Sequence, residues 1–96
     1  MATVLYGDFE WDEAKAETNI AKHGVSFEEA ATALVDPDAL FLADDSGDEE
    51  RLVAIGMSRQ SRILFVVHVI RGERDRIISA RVATSAEESL YEQDRE

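Results

Sequence analysis

Residues Arg62–Ile70 read RILFVVHVI, a run whose apolar side chains fall on both sides of an extended strand. Such a run buries fully only when both faces are covered, so it belongs in the middle of a sheet. Its neighbours join it through short turns at Ser58–Ser61 and Gly72–Asp75. Short turns force antiparallel pairing, because a parallel return needs a long crossover. Arg51–Met57 (RLVAIGM) therefore precedes it as one partner strand, and Arg76–Ala83 (RIISARVA) follows as the other. Alternation along the last strand predicts Ile78, Ala80 and Val82 on one face and Ser79 and Arg81 on the other. Ala39–Ala43 (ALFLA) supplies a fourth strand, joined to Arg51 through the acidic turn Asp44–Glu49.

The N-terminal third has a different periodicity. VLYGDFEW (4–11) reads as one short strand or extended lead-in ending at Asp12, a good helix N-cap. A helix over Asp12–His23 stops at Gly24. At 100° per residue Lys15, Asn19, Lys22 and His23 share one face, and Ala16 and Ile20 add a thin apolar stripe. Ser26-Phe27-Glu28-Glu29 is a capping box, opening a helix from Phe27 to about Val35 that Asp36-Pro37 breaks. Thr84 or Ser85 starts a last helix, with Glu87 or Glu88 completing its box, Leu90 as apolar anchor and a frayed tail from Tyr91. The order is β-α-α-β-β-β-β-α. It implies one α+β domain over residues 1–96, an antiparallel meander with two N-terminal helices and one C-terminal helix packed on one face.

Charge is distributed unevenly. The chain carries 21 acids and 10 bases among 96 residues, a net charge of −11. On average that repels a polyanion. Residues 1–50 hold 14 acids and two lysines, whereas residues 51–86 hold seven arginines and two acids. An all-arginine basic block suits phosphate or carboxylate recognition, or else it neutralises the acidic half within the fold. With no cysteine, disulfide scaffolds and thiolate metal sites are excluded. The longest apolar run, Ile63–Val67, is too short for a membrane span, and the first residues lack a signal-peptide pattern. A cytoplasmic protein without membrane contact is expected.

Familiar enzyme signatures are missing. His23 and His68 lie on separate elements without metal-ligand spacing, and DDSGDEE does not match a calcium loop. The five glycines are isolated, so no phosphate-cradling loop exists, and no G-x-S-x-G occurs. What remains is a cationic and proton-transferring set: Lys22, His23, Arg51, His68, Arg71, Arg81 and Tyr91. RNA is cut without metal or cofactor when its own 2′-hydroxyl attacks the adjacent phosphate. The protein then supplies a proton acceptor, a proton donor and cations around the phosphorane. Each residue also has a plainer role. His23 suits the dipole at a helix C-terminus, and His68 suits a hydrogen-bonded place in the core or at an edge. Arg51 and Arg62 suit surface ion pairs, and Tyr91 suits packing. Arg81, following an apolar run, needs a partner: an acid of the N-terminal half or a substrate phosphate.

The order of segments resembles a known family. Phe9-Glu10-Trp11-Asp12, Asn19-x-x-Lys22-His23-Gly24-Val25-Ser26-Phe27-Glu28-Glu29-Ala30, Glu50-Arg51-x-x-x-Ile55-Gly56 and Arg76-Ile77-Ile78-Ser79-Ala80-Arg81-x-Ala83-Thr84 are similar to the BrnT toxins of type II toxin–antitoxin systems, as are Glu87 and Tyr91. The resemblance implies a RelE-like fold and a metal-independent endoribonuclease that inhibits translation, with no cofactor. It also implies a cognate BrnA-like antitoxin, through which alone the complex meets operator DNA. By matching position, His23, Arg81 and Tyr91 become the catalytic candidates and Lys22, Arg51 and Arg71 the RNA-binding ones. Arg81 is assigned to the transition-state phosphate, and His23 or Tyr91 to proton transfer. Ile70 departs from the family's usual acid at that place, and the last helix lacks the usual bases. The second reading is therefore an antitoxin-binding module with weakened catalysis.

Overall fold

The computed structural model describes residues 2–44 and 50–94. Beyond Asp44, the acidic turn expected over Asp44–Glu49 lies outside the described residues. The chain runs β1 (Thr3–Tyr6), β2 (Phe9–Asp12), α1 (Glu13–His23), α2 (Phe27–Leu34), β3 (Leu40–Asp44), β4 (Arg51–Met57), β5 (Ile63–Arg71), β6 (Arg74–Val82) and α3 (Ser85–Asp94). The six strands form one sheet in the order β1-β2-β6-β5-β4-β3. The class is α+β, and β5 lies inside the sheet as its two-sided apolar pattern requires.

Three expectations about strand pairing and layers are corrected. The stretch expected as a single strand over 4–11 is a hairpin, because Gly7 takes φ 59° and turns Tyr6 onto Phe9. That conformation favours glycine, and the two-residue turn halves the strand. Second, the sheet is mixed rather than wholly antiparallel. β2 pairs in parallel with the start of β6, through Phe9–Asp75 and Glu10–Arg76. Without β2 the outer edge of β6 would present unpaired backbone groups, a liability for any sheet. Third, the helices do not share a face. Phe27, Ala30, Ala31, Ala33 and Leu34 of α2 pack with Trp11, Ala54, Leu64, Val66, Ile77 and Ala80. Tyr91 of α3 instead packs on the opposite face with Val53 and Ile55.

Local chemistry explains the helix boundaries. The Asp12 carboxylate accepts from the Lys15 amide at 3.0 Å, and Gly24 ends α1 at φ 67°. Ser26 Oγ accepts from the Glu29 amide at 3.0 Å. In α3 the box is Thr84 with Glu87: the Glu87 amide donates to Thr84 Oγ1, and the Thr84 amide donates to Glu87 Oε1 at 2.9 Å. Tyr91, 2 % exposed, anchors this helix, while Leu90 is 46 % exposed. Helical structure continues through Asp94, so the expected fraying does not begin at Tyr91.

A β-bulge alters the last strand. Val67 pairs with Ser79 but His68 pairs with Ile77, which leaves Ile78 as the extra residue. Ile77 and Ala80 consequently both join the core beneath α2, and strict alternation along the strand is interrupted between them. The bulge pushes Ile78 toward α1.

Candidate functional site

Helix α1 lies along the second half of β6, where β2 no longer pairs. Its only buried residue is Asn19, whose amide takes the place of a neighbouring strand. Asn19 Nδ2 donates to the Ala80 carbonyl at 2.8 Å and to the Val25 carbonyl at 2.9 Å, and Oδ1 accepts from the Ala80 amide at 3.2 Å. This pinning sets the face predicted from helical spacing against the sheet edge. Lys15, Asn19, Lys22 and His23 all line one cleft of about 340 Å³, with Ile78 and Ser79 forming its opposite wall. Lys22 and His23 occupy the last turn of α1, where the helix dipole favours positive charge.

Arg81 lies two residues beyond Ser79 on the α3 side of the sheet. Its guanidinium sits over the ring of Phe65, its cross-strand neighbour, with Cζ 4.1 Å from the centroid. Nη1 and Nη2 donate to Glu87 Oε1 and Oε2 at 2.8 and 2.9 Å. This pairing raises the Arg81 pKa further and holds the Glu87 carboxyl below its ordinary value. Among the described residues the partner of Arg81 is therefore an acid of the C-terminal helix, where the sequence offered an acid of the N-terminal half or a substrate phosphate.

The same face carries more arginine. Val53 and Ile55 lie under Tyr91, so Arg51 projects to that side by alternation. Phe65 and Val67 share it, followed by Val69 and Arg71 along β5. Cross-strand register adds Arg74 opposite Arg71 and Arg76 opposite Val69. Arg51, Arg71, Arg74, Arg76 and Arg81 thus share one side of the sheet. Arg76 Nη1 donates to Glu10 Oε2 at 2.6 Å, and Arg51 Nε is buried without a hydrogen-bond partner among the described residues. Arg62 is different. Its guanidinium grips buried Glu29, which also accepts from Ser58 Oγ at 2.7 Å.

The expected site residues separate into groups. Lys22 and His23 share the cleft walled by Ser79, and Arg81 stands two residues further along β6, on the α3 side over Phe65. Arg71 is six residues from Phe65 along β5, about 20 Å at the rise of a strand, and Arg51 stands toward that far end too. Tyr91 is elsewhere, its hydroxyl donating to Asp36 Oδ2 at 2.6 Å beside a second cleft of about 380 Å³. His68 is 1 % exposed with Nδ1 2.7 Å from Asp75 Oδ1, the core role expected of it. Sequence reasoning missed Glu87 as the Arg81 partner, although its place three residues after Thr84 marked a capping carboxylate. It also left out Arg74 and Arg76. No three His, Asp or Glu converge as a metal-ligand set among the described residues, and no described helix is long and apolar enough to cross a membrane.

No curated protein matches the chain. The crystal structure of the Brucella abortus ribonuclease toxin BrnT matches with a TM-score of 0.62 and 33 % identity, over 78 % of this chain and 94 % of that one. The family described as the ribonuclease toxin BrnT of type II toxin–antitoxin systems matches residues 11–87. A match over that much of the chain, together with the matching fold, shows that this chain belongs to the BrnT family of ribonuclease toxins.

Proposed function

We propose that the chain is an endoribonuclease toxin that cleaves RNA without metal or cofactor, and so inhibits translation until a cognate BrnA-like antitoxin silences it. Operator DNA is reached only through that antitoxin. The observation that carries this reading is the row of arginines on one sheet face, with Arg81 two residues along β6 from Ser79, which lines the Lys22–His23 cleft. Cations so placed neutralise an RNA backbone along the sheet and the extra charge of a phosphorane at its end. The 2′-hydroxyl gives its proton to a base as its oxygen bonds to phosphorus, the P–O5′ bond breaks, and O5′ takes up a proton, leaving a 2′,3′-cyclic phosphate and a 5′-hydroxyl. Arg81 holds the phosphate, Lys22 the adjoining backbone, and Arg51 and Arg71 the more distant strand. Proton transfer goes to His23 rather than Tyr91, because an imidazole can both accept and donate a proton and His23 lines the open cleft, whereas the Tyr91 hydroxyl is bonded to Asp36. We treat residues 1–96 as one RelE-like domain.

The test is incubation of the purified chain with a defined single-stranded RNA in excess EDTA. The expected result is cleavage leaving 2′,3′-cyclic phosphate ends, slowed about a hundred- to a thousandfold but still measurable in a folded Arg81→Ala variant. Intact RNA with folded parent protein would overturn the reading in favour of an antitoxin-binding module.

A further inference from the structure

We propose that Glu87 is a positioning residue that aims Arg81 at the substrate phosphate. The inference rests on the assignment of Arg81 to phosphate. A guanidinium offers five N–H donors in a fixed plane, which form two carboxylate-shaped edges. Glu87 takes the end edge, accepting from Nη1 and Nη2 at 2.8 and 2.9 Å. The side edge, Nε with the second Nη2 hydrogen, makes no hydrogen bond to any described residue. Phe65 supports the plane from below at 4.1 Å. An arginine fixed from its end and from its face has one orientation left, with the side edge turned outward. A phosphate oxygen pair matches that edge without displacing Glu87.

Glu87 is itself fixed. Its Oε1 accepts from the Thr84 amide and its amide donates to Thr84 Oγ1, so the carboxylate belongs to the helix cap rather than to a freely rotating side chain. The first turn of α3 is therefore a bracket: it starts the helix and orients the arginine across from it. Preorganisation of this kind matters because misplacing a reacting group by about 1 Å costs on the order of a hundredfold in rate.

Single-turnover cleavage of a defined single-stranded RNA is measured for the parent, Glu87→Ala, Glu87→Gln, Arg81→Ala and the double variant Arg81→Ala/Glu87→Ala. RNA affinity is read on a non-cleavable 2′-O-methyl analogue. In Glu87→Ala the rate constant should fall about ten- to a hundredfold, while Kd changes less than about threefold. Glu87→Gln keeps one acceptor for Arg81 and for the Thr84 amide, so it should recover part of the rate. On the Arg81→Ala background, removing Glu87 should cost nothing more. Faster cleavage or tighter RNA binding by Glu87→Ala overturns the proposal, since Glu87 would then compete with phosphate. An equal loss on both backgrounds also overturns it, because Glu87 would then act independently of Arg81. Should Glu87→Ala fail to fold, Glu87→Gln carries the test: an unchanged rate overturns the proposal, and a reduced rate at unchanged Kd supports it. Full activity in Arg81→Ala would sink the phosphate assignment instead, so the two failures are distinguishable.

Discussion

Replacing Asn19 by alanine removes the buried amide that seats α1 on the open edge of β6. Three hydrogen bonds disappear, two to carbonyls and one from an amide, and all are buried. A typical intramolecular hydrogen bond contributes about 1 kcal/mol net, and an orphaned buried group costs about 1–3 kcal/mol. The sum for this site is about 3 kcal/mol, a large share of the roughly 5–10 kcal/mol that stabilises a domain of this size. With a urea slope of about 1.5 kcal/mol/M, the unfolding midpoint should fall by about 2 M. Thr18→Ala, one residue away but exposed, is the control and should stay within about 0.5 kcal/mol of the parent. Asn19→Asp should be at least as damaging as alanine, because a carboxylate has no hydrogen to give the Val25 and Ala80 carbonyls. The assay is equilibrium urea unfolding followed by the fluorescence of buried Trp11. If Asn19→Ala and Thr18→Ala unfold at the same urea concentration, the amide is not acting as the missing strand. The account of why Lys22 and His23 face Ser79 would then fail with it.

Gly56→Ala should destabilise by about 1–3 kcal/mol or more, because a Cβ there would stand 2.5 Å from the Ala33 carbonyl oxygen; a thermal midpoint equal to the parent's would refute the close approach of α2 to β4. Tyr91→Phe should cost about 1–2 kcal/mol through the Asp36 bond and leave RNA cleavage unchanged. Loss of cleavage at unchanged stability would instead return Tyr91 to the reacting phosphate. The Glu29 carboxyl lies below its ordinary pKa, first because Arg62 hydrogen-bonds to it and despite its burial. The stability it contributes is therefore complete above the unfolded value near 4.5 and drains as pH falls through the lower folded value. Acid titration of unfolding should flatten across that window in Glu29→Gln, and an unaltered acid limb would count against the pair.

What was legible in the sequence was whatever is written locally. Asp12, Gly24 and Ser26–Glu29 state their capping roles in their own spacing, and the arc from Lys15 to His23 follows from helical geometry alone. β5 declares itself interior because an antiparallel strand with one wet face would alternate. Gly56, already marked within Glu50-Arg51-x-x-x-Ile55-Gly56, proves to be where a backbone oxygen leaves no room for a side chain. The parallel pairing of β2 with β6 left no such trace, since its partners are more than 60 residues apart and joined by no turn. The bulge at Ile78 also depends on what β5 presents opposite. The side taken by α3 was misread for a third reason. One tyrosine, not a periodic stripe, anchors that helix, and its partners Val53 and Ile55 could have lain on either face. Half the candidate site was legible for the same reason: Lys22 and His23 share a helix turn, but Arg81 and Glu87 meet only once α3 has folded back.

The net charge of −11 and a phosphate-binding role are reconciled by geometry rather than by composition. The arginine block does both jobs considered for it. Arg62 is committed to Glu29 on the helix side, where it holds the β4–β5 turn to α2. Arg51, Arg71, Arg74, Arg76 and Arg81 lie on the other side, where Glu10 pairs with Arg76 and Glu87 with Arg81. Many of the acids of residues 1–50 lie on or beside α1 and α2, across the sheet. A sheet and the layer packed on it stand about 10 Å apart, and charges in salt of physiological strength are screened over about 8 Å. An RNA backbone lying on the arginine face therefore meets the arginines at close range together with the acids of α3, Glu88, Glu92 and Asp94, and feels the acids behind the sheet only weakly. The acidic layer still acts at long range, slowing the approach of any polyanion that arrives from the helix side. Selectivity for approach along the open sheet face follows from that asymmetry.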